Sequence, residues 1–277
     1  MPTLVFAVVV SAALLHATWN AIVKSAHDKF LTTIMVTAAA AVIAAALLPF
    51  LSVPARASWP YIAASTLFQL AYFLLVARTY QVTDMSLAYP LMRGTAPCLV
   101  ALVTVFEIGD ALSFLAWCGI IGICVGIFSM AVGSNLRHPQ GILLALLNAV
   151  VIAGYTLIDG MGVRLSGAPA SYTLSIFLVT GIPFTAWALA ARSSTFVPHV
   201  MRYWRLGIAG GIGATASYGL ALWAMTVAPV AVVAALRETS IIFATLIAGL
   251  VLKEHVGMRR IVPVCIIAAS AAVLRLA

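Results

Sequence analysis

The chain of 277 residues is 64% hydrophobic and only 8% charged, and its mean hydropathy is +1.14. A soluble domain carries about 25% charged residues, so this composition excludes a soluble protein and indicates an integral membrane protein. The net charge of +8 comes from basic residues scattered singly near the ends of apolar runs, which argues against a nucleic-acid-binding surface.

The apolar runs are long and lack the alternation of β-barrel strands, so they predict helices. A membrane-spanning helix needs about 20 apolar residues, and little sequence is left between the runs for a soluble domain. We therefore predict an all-α polytopic membrane protein. Its ten predicted transmembrane helices lie near residues 3–23, 30–51, 59–80, 84–106, 111–132, 139–159, 171–192, 203–226, 230–252 and 257–276.

Residues 91–110 (LMRGTAPCLVALVTVFEIGD) and 235–254 (ALRETSIIFATLIAGLVLKE) share one pattern. Each contains Arg-x-Thr, an apolar run and an acid seventeen residues after the arginine, which is Arg93 in one copy and Arg237 in the other. The copies lie 144 residues apart, about half the chain. This spacing predicts an internal duplication, which in a membrane protein is typical of transporters built from two repeats around a central site.

The predicted repeats are residues 1–136 and 137–277, joined by a loop near 133–140 that contains Gly and Pro. Because each repeat has an odd number of helices, we predict that the repeats are inverted about a pseudo-two-fold axis in the membrane plane. With the N-terminus outside, ten Lys and Arg residues fall in inner loops and three on the outer side. The charge distribution therefore predicts that both termini are outside.

Arg93 and Arg237 are the first candidates for function. Each lies about nine residues into its helix, roughly 13–14 Å from the membrane surface at 1.5 Å per residue. A charge at that depth costs about 2.5–3.5 kcal/mol unless it faces a water-filled cavity or a partner. Ion pairs or carbonyl contacts that lock helices together explain a single arginine equally well. The repeated pair favours a role in lining the substrate cavity.

Glu238 is the deepest acid, about ten residues into the ninth predicted helix. It could bind a cationic group of the substrate, titrate as a coupling proton site, or pair with Arg93 or Arg237, and ion pairing is slightly favoured. Asp159, in YTLIDGMG, is interpreted as a solvated residue at a helix end, because two glycines follow it. His16, alone on an apolar helix, is interpreted as a core residue.

Aromatic and amide side chains on five of the predicted helices would form a wall suited to a small amphipathic or cationic metabolite. Taken singly, each such aromatic is more often a core residue or an interfacial anchor. Beside the charged residues, the candidates for substrate binding are Trp19, Asn20, Tyr72, Tyr89, Tyr155, Tyr218 and Trp223. Motifs of hydrolases, metalloproteases and nucleotide-binding proteins are missing, so the sequence predicts no enzyme activity, cofactor or metal site.

Five stretches carry a resemblance to a known family: LLHATWNAIVKSAHDK (14–29), AYPLMRGTAP (88–97), EIGDALS (107–113), YTLIDGMGVRLSG (155–167) and RETSIIFATLIAGLVLKEHVG (237–257). Over essentially its whole length the chain resembles the EamA-type, ten-helix bacterial permeases of the drug/metabolite transporter superfamily. The resemblance implies that helices one, three, four, six, eight and nine surround a central cavity, with five and ten outside it. It also implies a multi-pass protein of the bacterial inner membrane.

The resemblance further implies that the cavity is lined or bordered by Arg93, Arg237, Trp19, Asn20, Tyr89, Tyr155 and Glu238. Relatives of this kind carry amino acids, amines, sugars and toxic compounds, so membership does not fix a substrate. The first-helix stretch is similar to that of members associated with phosphonates or amino-acid-like metabolites.

The sequence therefore predicts a secondary transporter that moves a small polar or amphipathic metabolite by alternating access. An arginine would bind a carboxylate or phosphonate, while Glu238 and the aromatic faces would take an amino or alkyl group. A flippase for a lipid or lipid-linked headgroup on the same fold is the alternative. The expected partners are a small-molecule substrate and the lipid bilayer, with protons as a candidate coupling ion. No nucleic acid is expected, and the chain would work as a monomer or a homodimer.

Overall fold

The structure is a computed structural model that describes residues 1–108, 111–132, 139–253 and 257–277, with the side chains of 107 and 108 left out. Regular elements in these segments are helices. Asp110 and Glu254, the acids of the duplicated pattern, lie outside the described residues, as does most of the predicted joint between repeats. The α-helices are α1 Thr3–Ser25, α2 Lys29–Leu47, α3 Trp59–Val82, α4 Met85–Val103, α5 Phe114–Ser129, α6 Pro139–Ser166, α7 Pro169–Val227, α8 Val230–Arg237, α9 Ser240–Leu250 and α10 Met258–Leu276.

Side-chain hydrogen bonds stabilise the starts of α2 and α5, and a glycine follows the end of α6. The carboxylate of Asp28 accepts a hydrogen bond from the Leu31 N–H at 2.9 Å, and the Ser113 hydroxyl accepts one from the Ala116 N–H at 3.1 Å. Both satisfy a backbone donor that the first helical turn leaves free. α6 ends before Gly167, whose φ of +62° is the left-handed conformation that closes many helices.

α7 has 59 residues, and a straight helix of that length would extend about 90 Å, roughly three times the thickness of a bilayer core. It is not straight, because the backbone leaves helical geometry at Arg192 (φ −142°, ψ 28°) and Tyr203 (φ −119°, ψ 15°). Both of its long arms pack on α2: Gly181 in the first arm lies against Ala41, and Gly210 in the second lies against Val36. The element therefore folds back on itself as two arms, 169–191 and 204–227, joined by a short segment.

The ninth predicted helix is interrupted in its middle. α8 ends at Arg237 and α9 begins at Ser240. Between them the N–H of Glu238 donates to the carbonyl of Ala235 at 3.0 Å, and the N–H of Thr239 donates to that of Leu236 at 3.0 Å. Both are i→i−3 hydrogen bonds of the 3₁₀ type, so the interruption lies at Glu238.

α4 is irregular as well, because it contains Pro90 and Pro97 and continues into the π-helical turn Thr104–Ile108. A proline has no N–H, so Pro97 removes the helical donor that would bond the carbonyl of Arg93. The helix that carries Arg93 and the segment that carries Arg237 thus both depart from regular helical hydrogen bonding near the arginine.

Close packing of small residues joins the peripheral helices. Gly119 and Gly122 of α5 lie against Leu274 and Ser270 of α10, so the two helices approach closely. The largest apolar core lies between these helices and the rest of the bundle; buried members from different elements are Val9, Ile120, Leu222, Leu236 and Leu274.

Seven of the described helical stretches are long and apolar enough to cross a membrane, and Phe114–Ser129 is a shorter apolar helix. The prediction of an all-α polytopic membrane protein is confirmed, whereas ten spans and inverted repeats stay predictions. One boundary was wrong in a way that matters for the site. α6 continues to Ser166, so Asp159 lies seven residues inside the helix and not at its end.

Candidate functional site

Arg93 of α4 and Glu238 of the α8–α9 turn form a bidentate ion pair. The Arg93 Nε donates to Glu238 Oε2 at 2.9 Å, and its Nη2 lies 2.8 Å from Oε1. The side chains are only 12% and 6% exposed, so water contributes little to either charge. Two parallel N–H···O bonds are the strongest geometry for this pair. Of the three roles that the sequence left open for Glu238, the structure contains the ion pair with Arg93.

Arg237 lies in a different environment, although it is adjacent to Glu238 in sequence. Its guanidinium carbon lies 5.0 Å from the centre of the Tyr218 ring, a cation–π contact from α8 to the second arm of α7. Among the residues that the structure describes, no carboxylate lies within ion-pair distance of Arg237. One arginine of the repeated pair is therefore neutralised directly, and the other is not.

Asp159 corrects the sequence interpretation, which placed it in solvent at a helix end. Its side chain is fully buried. Ser65 donates to Oδ2 at 2.8 Å, Tyr172 donates to Oδ1 at 3.1 Å, and the Tyr218 hydroxyl also donates to Oδ2. Three hydroxyl donors thus replace water around this carboxylate.

The Asp159 cluster and the arginine site share one side chain. Tyr218 bonds Asp159 through its hydroxyl and contacts Arg237 with its ring face. Gln69 extends the cluster on α3, since its Nε2 donates to the Ser65 hydroxyl at 3.1 Å. A continuous chain of contacts therefore runs from α3 through α6 and α7 to α8.

Aromatic rings surround the ion pair. Tyr72 and Tyr155 meet edge to face with ring centres 6.1 Å apart, and Tyr72 also meets Phe73 at 5.3 Å. Tyr72, Tyr89 and Tyr155 lie within electrostatic range of Arg93. These contacts form an aromatic surface beside the charges, which suits the alkyl or amino part of a small ligand.

The structure brings together seven of the ten candidate residues predicted from the sequence: Arg93, Arg237, Glu238, Tyr72, Tyr89, Tyr155 and Tyr218. Trp19 packs against His16 with ring centres 5.4 Å apart and against Gly213 of α7. Asn20 is exposed, and its amide donates back to the His16 carbonyl at 2.7 Å. Trp223 packs against the large apolar core. The structure does not place these last three in the charged group.

Sequence reasoning missed Asp159, Ser65 and Tyr172 as parts of this region. A usable signal was present for Asp159. A basic residue in the last turn and a glycine just after it are typical of a helix C-terminus, and Arg164 and Gly167 follow Asp159 in these positions. They indicate that the helix continues past Asp159. Nothing in the sequence distinguishes Ser65 or Tyr172 from other polar residues of apolar helices.

A cavity of about 290 Å³ lies at the end of the bundle that carries the chain termini. Its lining includes Ala111, Arg164 and Pro229 and does not include Arg93 or Arg237. Arg164 bridges α6 to the end of α7, where its Nε donates to the Met225 carbonyl at 2.8 Å and its Nη2 donates to the Ala228 carbonyl at 3.0 Å. The cavity borders the turn that leads directly into α8.

Fold and site together define a polytopic all-α membrane protein that keeps charged side chains inside its helical bundle. Residues 139–276 match the model of the EamA-like transporter family. A solved structure titled "Crystal structure of protein" is similar with a TM-score of 0.75 and 18% identity, covering 99% of this chain and 96% of that chain. At that identity the likeness shows the fold alone. No curated protein matches the chain in sequence.

The chain belongs to the EamA-like transporter family of the drug/metabolite transporter superfamily, as the sequence motifs indicated. It is a multi-pass membrane transporter with a small-molecule substrate.

Proposed function

We propose that the protein is a secondary transporter that moves a small polar or amphipathic metabolite with amino-acid-, amine- or phosphonate-like chemistry across the bacterial inner membrane by alternating access. The observation that carries the proposal is the unequal state of the two arginines. Glu238 neutralises Arg93 directly, whereas Arg237 lies over the face of Tyr218 and has no carboxylate within ion-pair distance among the described residues.

Arg237 is the anchor for the anionic group of the substrate. A guanidinium in a low-dielectric bundle is stabilised by a directly bonded counter-charge, and a carboxylate or phosphonate supplies one with the same bidentate geometry that Glu238 offers Arg93. The Tyr218 ring behind Arg237 holds the guanidinium while leaving its N–H groups free to donate. A carboxylate or phosphonate is therefore the part of the substrate that the site selects.

Glu238 and the tyrosines take the other end of the substrate. Tyr72 and Tyr155 present ring faces and edges next to Arg93, and an amino group there can compete with Arg93 for Glu238. The carbonyl of Arg93, which loses its helical donor to Pro97, is a further acceptor. A zwitterion would thus lie across the two distorted helices.

Ten spans arise if the two arms of α7 cross separately and α8 and α9 together form one crossing. The helix contacts are consistent with two equivalent halves. If each helix is exchanged for its counterpart in the other half, the contact of α5 with α10 is unchanged, and the contact of α3 with α6 becomes that of the second arm of α7 with α1. The Ser217 hydroxyl donates to the Ala12 carbonyl at 2.8 Å in the last of these contacts. Such pairings support inverted five-helix repeats, residues 1–136 and 137–277, that rock against each other around the charged site. A monomer holds both repeats, so the proposal needs no second chain.

The test is a thermal-shift screen of the purified, detergent-solubilised protein against amino acids, aminophosphonates, quaternary amines and sugars. A ligand at a hundred times its dissociation constant adds about 2.7 kcal/mol to the free energy of unfolding. We expect zwitterions or phosphonates to raise the melting temperature and to drive counterflow in proteoliposomes. Arg237→Ala should abolish both responses while remaining folded.

The matched control is Arg205→Ala. Arg205 also contacts an aromatic ring, since its guanidinium carbon lies 5.4 Å from the centre of the Trp204 ring. Unlike Arg237, however, Arg205 is exposed, in the second arm of α7. The control should respond like the wild type. Unchanged affinity in Arg237→Ala, or hits among quaternary amines alone, would refute the anchor. If no soluble ligand class raises the melting temperature and acylated ligands do, the flippase is favoured.

A further inference from the structure

Four charged side chains meet in the interior of the bundle. Arg93 and Arg237 are positive, Glu238 and Asp159 are negative, and their formal charges cancel. Adding a monoanionic substrate alone would leave this interior with a net negative charge. Uncompensated charge is costly in a low-dielectric environment, so an anion needs a cation to accompany it.

Asp159 is built to hold a negative charge without an ion-pair partner. The Ser65 hydroxyl accepts from Gln69, so its own hydrogen is directed to Asp159. Tyr172 and Tyr218 donate as well, and three donors to one carboxylate favour its ionised form. Its compensation beyond these donors comes from Arg237, which lies within electrostatic range.

We infer that Asp159 is a proton-binding site coupled through Tyr218 to the anion site on Arg237, so that a monoanionic substrate binds together with one proton. The inference rests on the proposed function. An anion on Arg237 cancels the positive potential that stabilises the Asp159 carboxylate, and the carboxylate then takes a proton from water. By thermodynamic reciprocity, a proton on Asp159 leaves Arg237 uncompensated and strengthens its binding of the anion. No bond of the substrate is broken.

Other titratable groups face the same region. The tyrosines packed around Asp159 and Tyr218 are Tyr61, Tyr155 and Tyr172. Glu238 is held in its ion pair by Arg93. The imidazole of His16 is within electrostatic range of both arginines, so His16 is the rival proton site and its variant is a necessary control.

The experiment measures proton uptake on ligand addition in weakly buffered detergent solution with a pH-indicator dye. The probe is 2-hydroxyethanesulfonate, a monoanion that does not titrate near neutral pH, and 2-aminoethanesulfonate is its zwitterionic counterpart. We expect the wild type to take up about one proton per bound monoanion and much less with the zwitterion. Its dissociation constant for the monoanion should rise by up to about tenfold per pH unit once Asp159 is ionised before binding.

Asp159→Asn should bind the monoanion without proton uptake and with an affinity that does not depend on pH, while His16→Asn should take up protons like the wild type. Tyr218→Phe is a second variant that keeps the ring under Arg237 and removes one donor. The carboxyl then holds a proton before the anion arrives, so proton uptake per anion should fall while anion binding persists. Tyr218→Phe also tests the inference if Asp159→Asn does not fold.

Wild-type proton uptake in Asp159→Asn or in Tyr218→Phe overturns the inference, as does loss of uptake in His16→Asn alone. Binding of the monoanion by the wild type without proton uptake overturns the coupling and leaves the proposed transporter intact. Failure of both sulfonates and of every zwitterion in the screen to bind the wild type removes the Arg237 site, and the proposed function and this inference fall together.

Discussion

Replacing Glu238 by Gln is the sharpest perturbation of the bundle, because it keeps the size of the side chain and removes its charge. Arg93 would then keep at most one of its two carboxylate bonds, at Nε (2.9 Å) or Nη2 (2.8 Å). The side chain of Arg93 is 12% exposed, so water cannot replace the lost partner without local opening. We expect Glu238→Gln to lower the free energy of unfolding strongly.

The magnitude follows from the asymmetry of buried ion pairs. Removing one partner leaves an uncompensated charge and costs about 3–5 kcal/mol, whereas replacing both partners by apolar residues of similar volume is often neutral. The double variant Arg93→Met with Glu238→Met should therefore lie within about 1 kcal/mol of the wild type. The double-mutant cycle should give a coupling of several kcal/mol between the two residues.

The assay is reversible unfolding in mixed micelles followed by tryptophan fluorescence. Arg275→Gln is the control, since Arg275 donates only to the Met1 carbonyl and the Thr3 hydroxyl at the chain ends, and its loss should cost about 1 kcal/mol. The reasoning is refuted if Glu238→Gln costs no more than this control. It is equally refuted if the double variant loses as much as the sum of the single ones.

Two further expectations test packing. Gly122→Val should lower the unfolding free energy by about 1–3 kcal/mol, because a Cβ at Gly122 would clash with the Ser270 hydroxyl oxygen. Gly219→Ala should be tolerated, because its new Cβ would have ordinary contacts. Cys98 and Cys124 have sulfur atoms 2.8 Å apart, so mild oxidation should remove both from maleimide labelling together. Independent labelling of the two thiols, measured by mass spectrometry of peptides, would contradict the α4–α5 contact.

The sequence was sufficient for the helices and for the paired arginines. Long apolar runs must form helices in a membrane because every backbone polar group needs an internal partner. Charges inside such runs are rare enough that Arg93, Arg237 and Glu238 stand out without any structure. The pattern of apolar runs and the charges inside them therefore lead to the all-α membrane class and to these three residues.

Helix boundaries and the partners of the charged residues were harder to predict from the sequence, for a physical reason. Glycines after Asp159 resemble a helix stop, yet Gly160 lies against Val230 and Gly162 against Tyr172, so they serve close packing inside α6. Small residues end helices and join helices equally well, and sequence does not separate the two uses. The choice of Arg93 as the partner of Glu238 is a contact across 145 positions, which local spacing cannot give.

The central charges owe their asymmetry to one position. In the duplicated pattern, Gly94 is the counterpart of Glu238, so the pattern places one acid beside its two arginines. A Cβ at Gly94 in α4 would face Phe128 of α5, whereas the turn between α8 and α9 directs Glu238 inward to Arg93. Under the repeat arrangement proposed here, divergence at this one position and the interruption of one helix leave Arg237 free to bind the substrate.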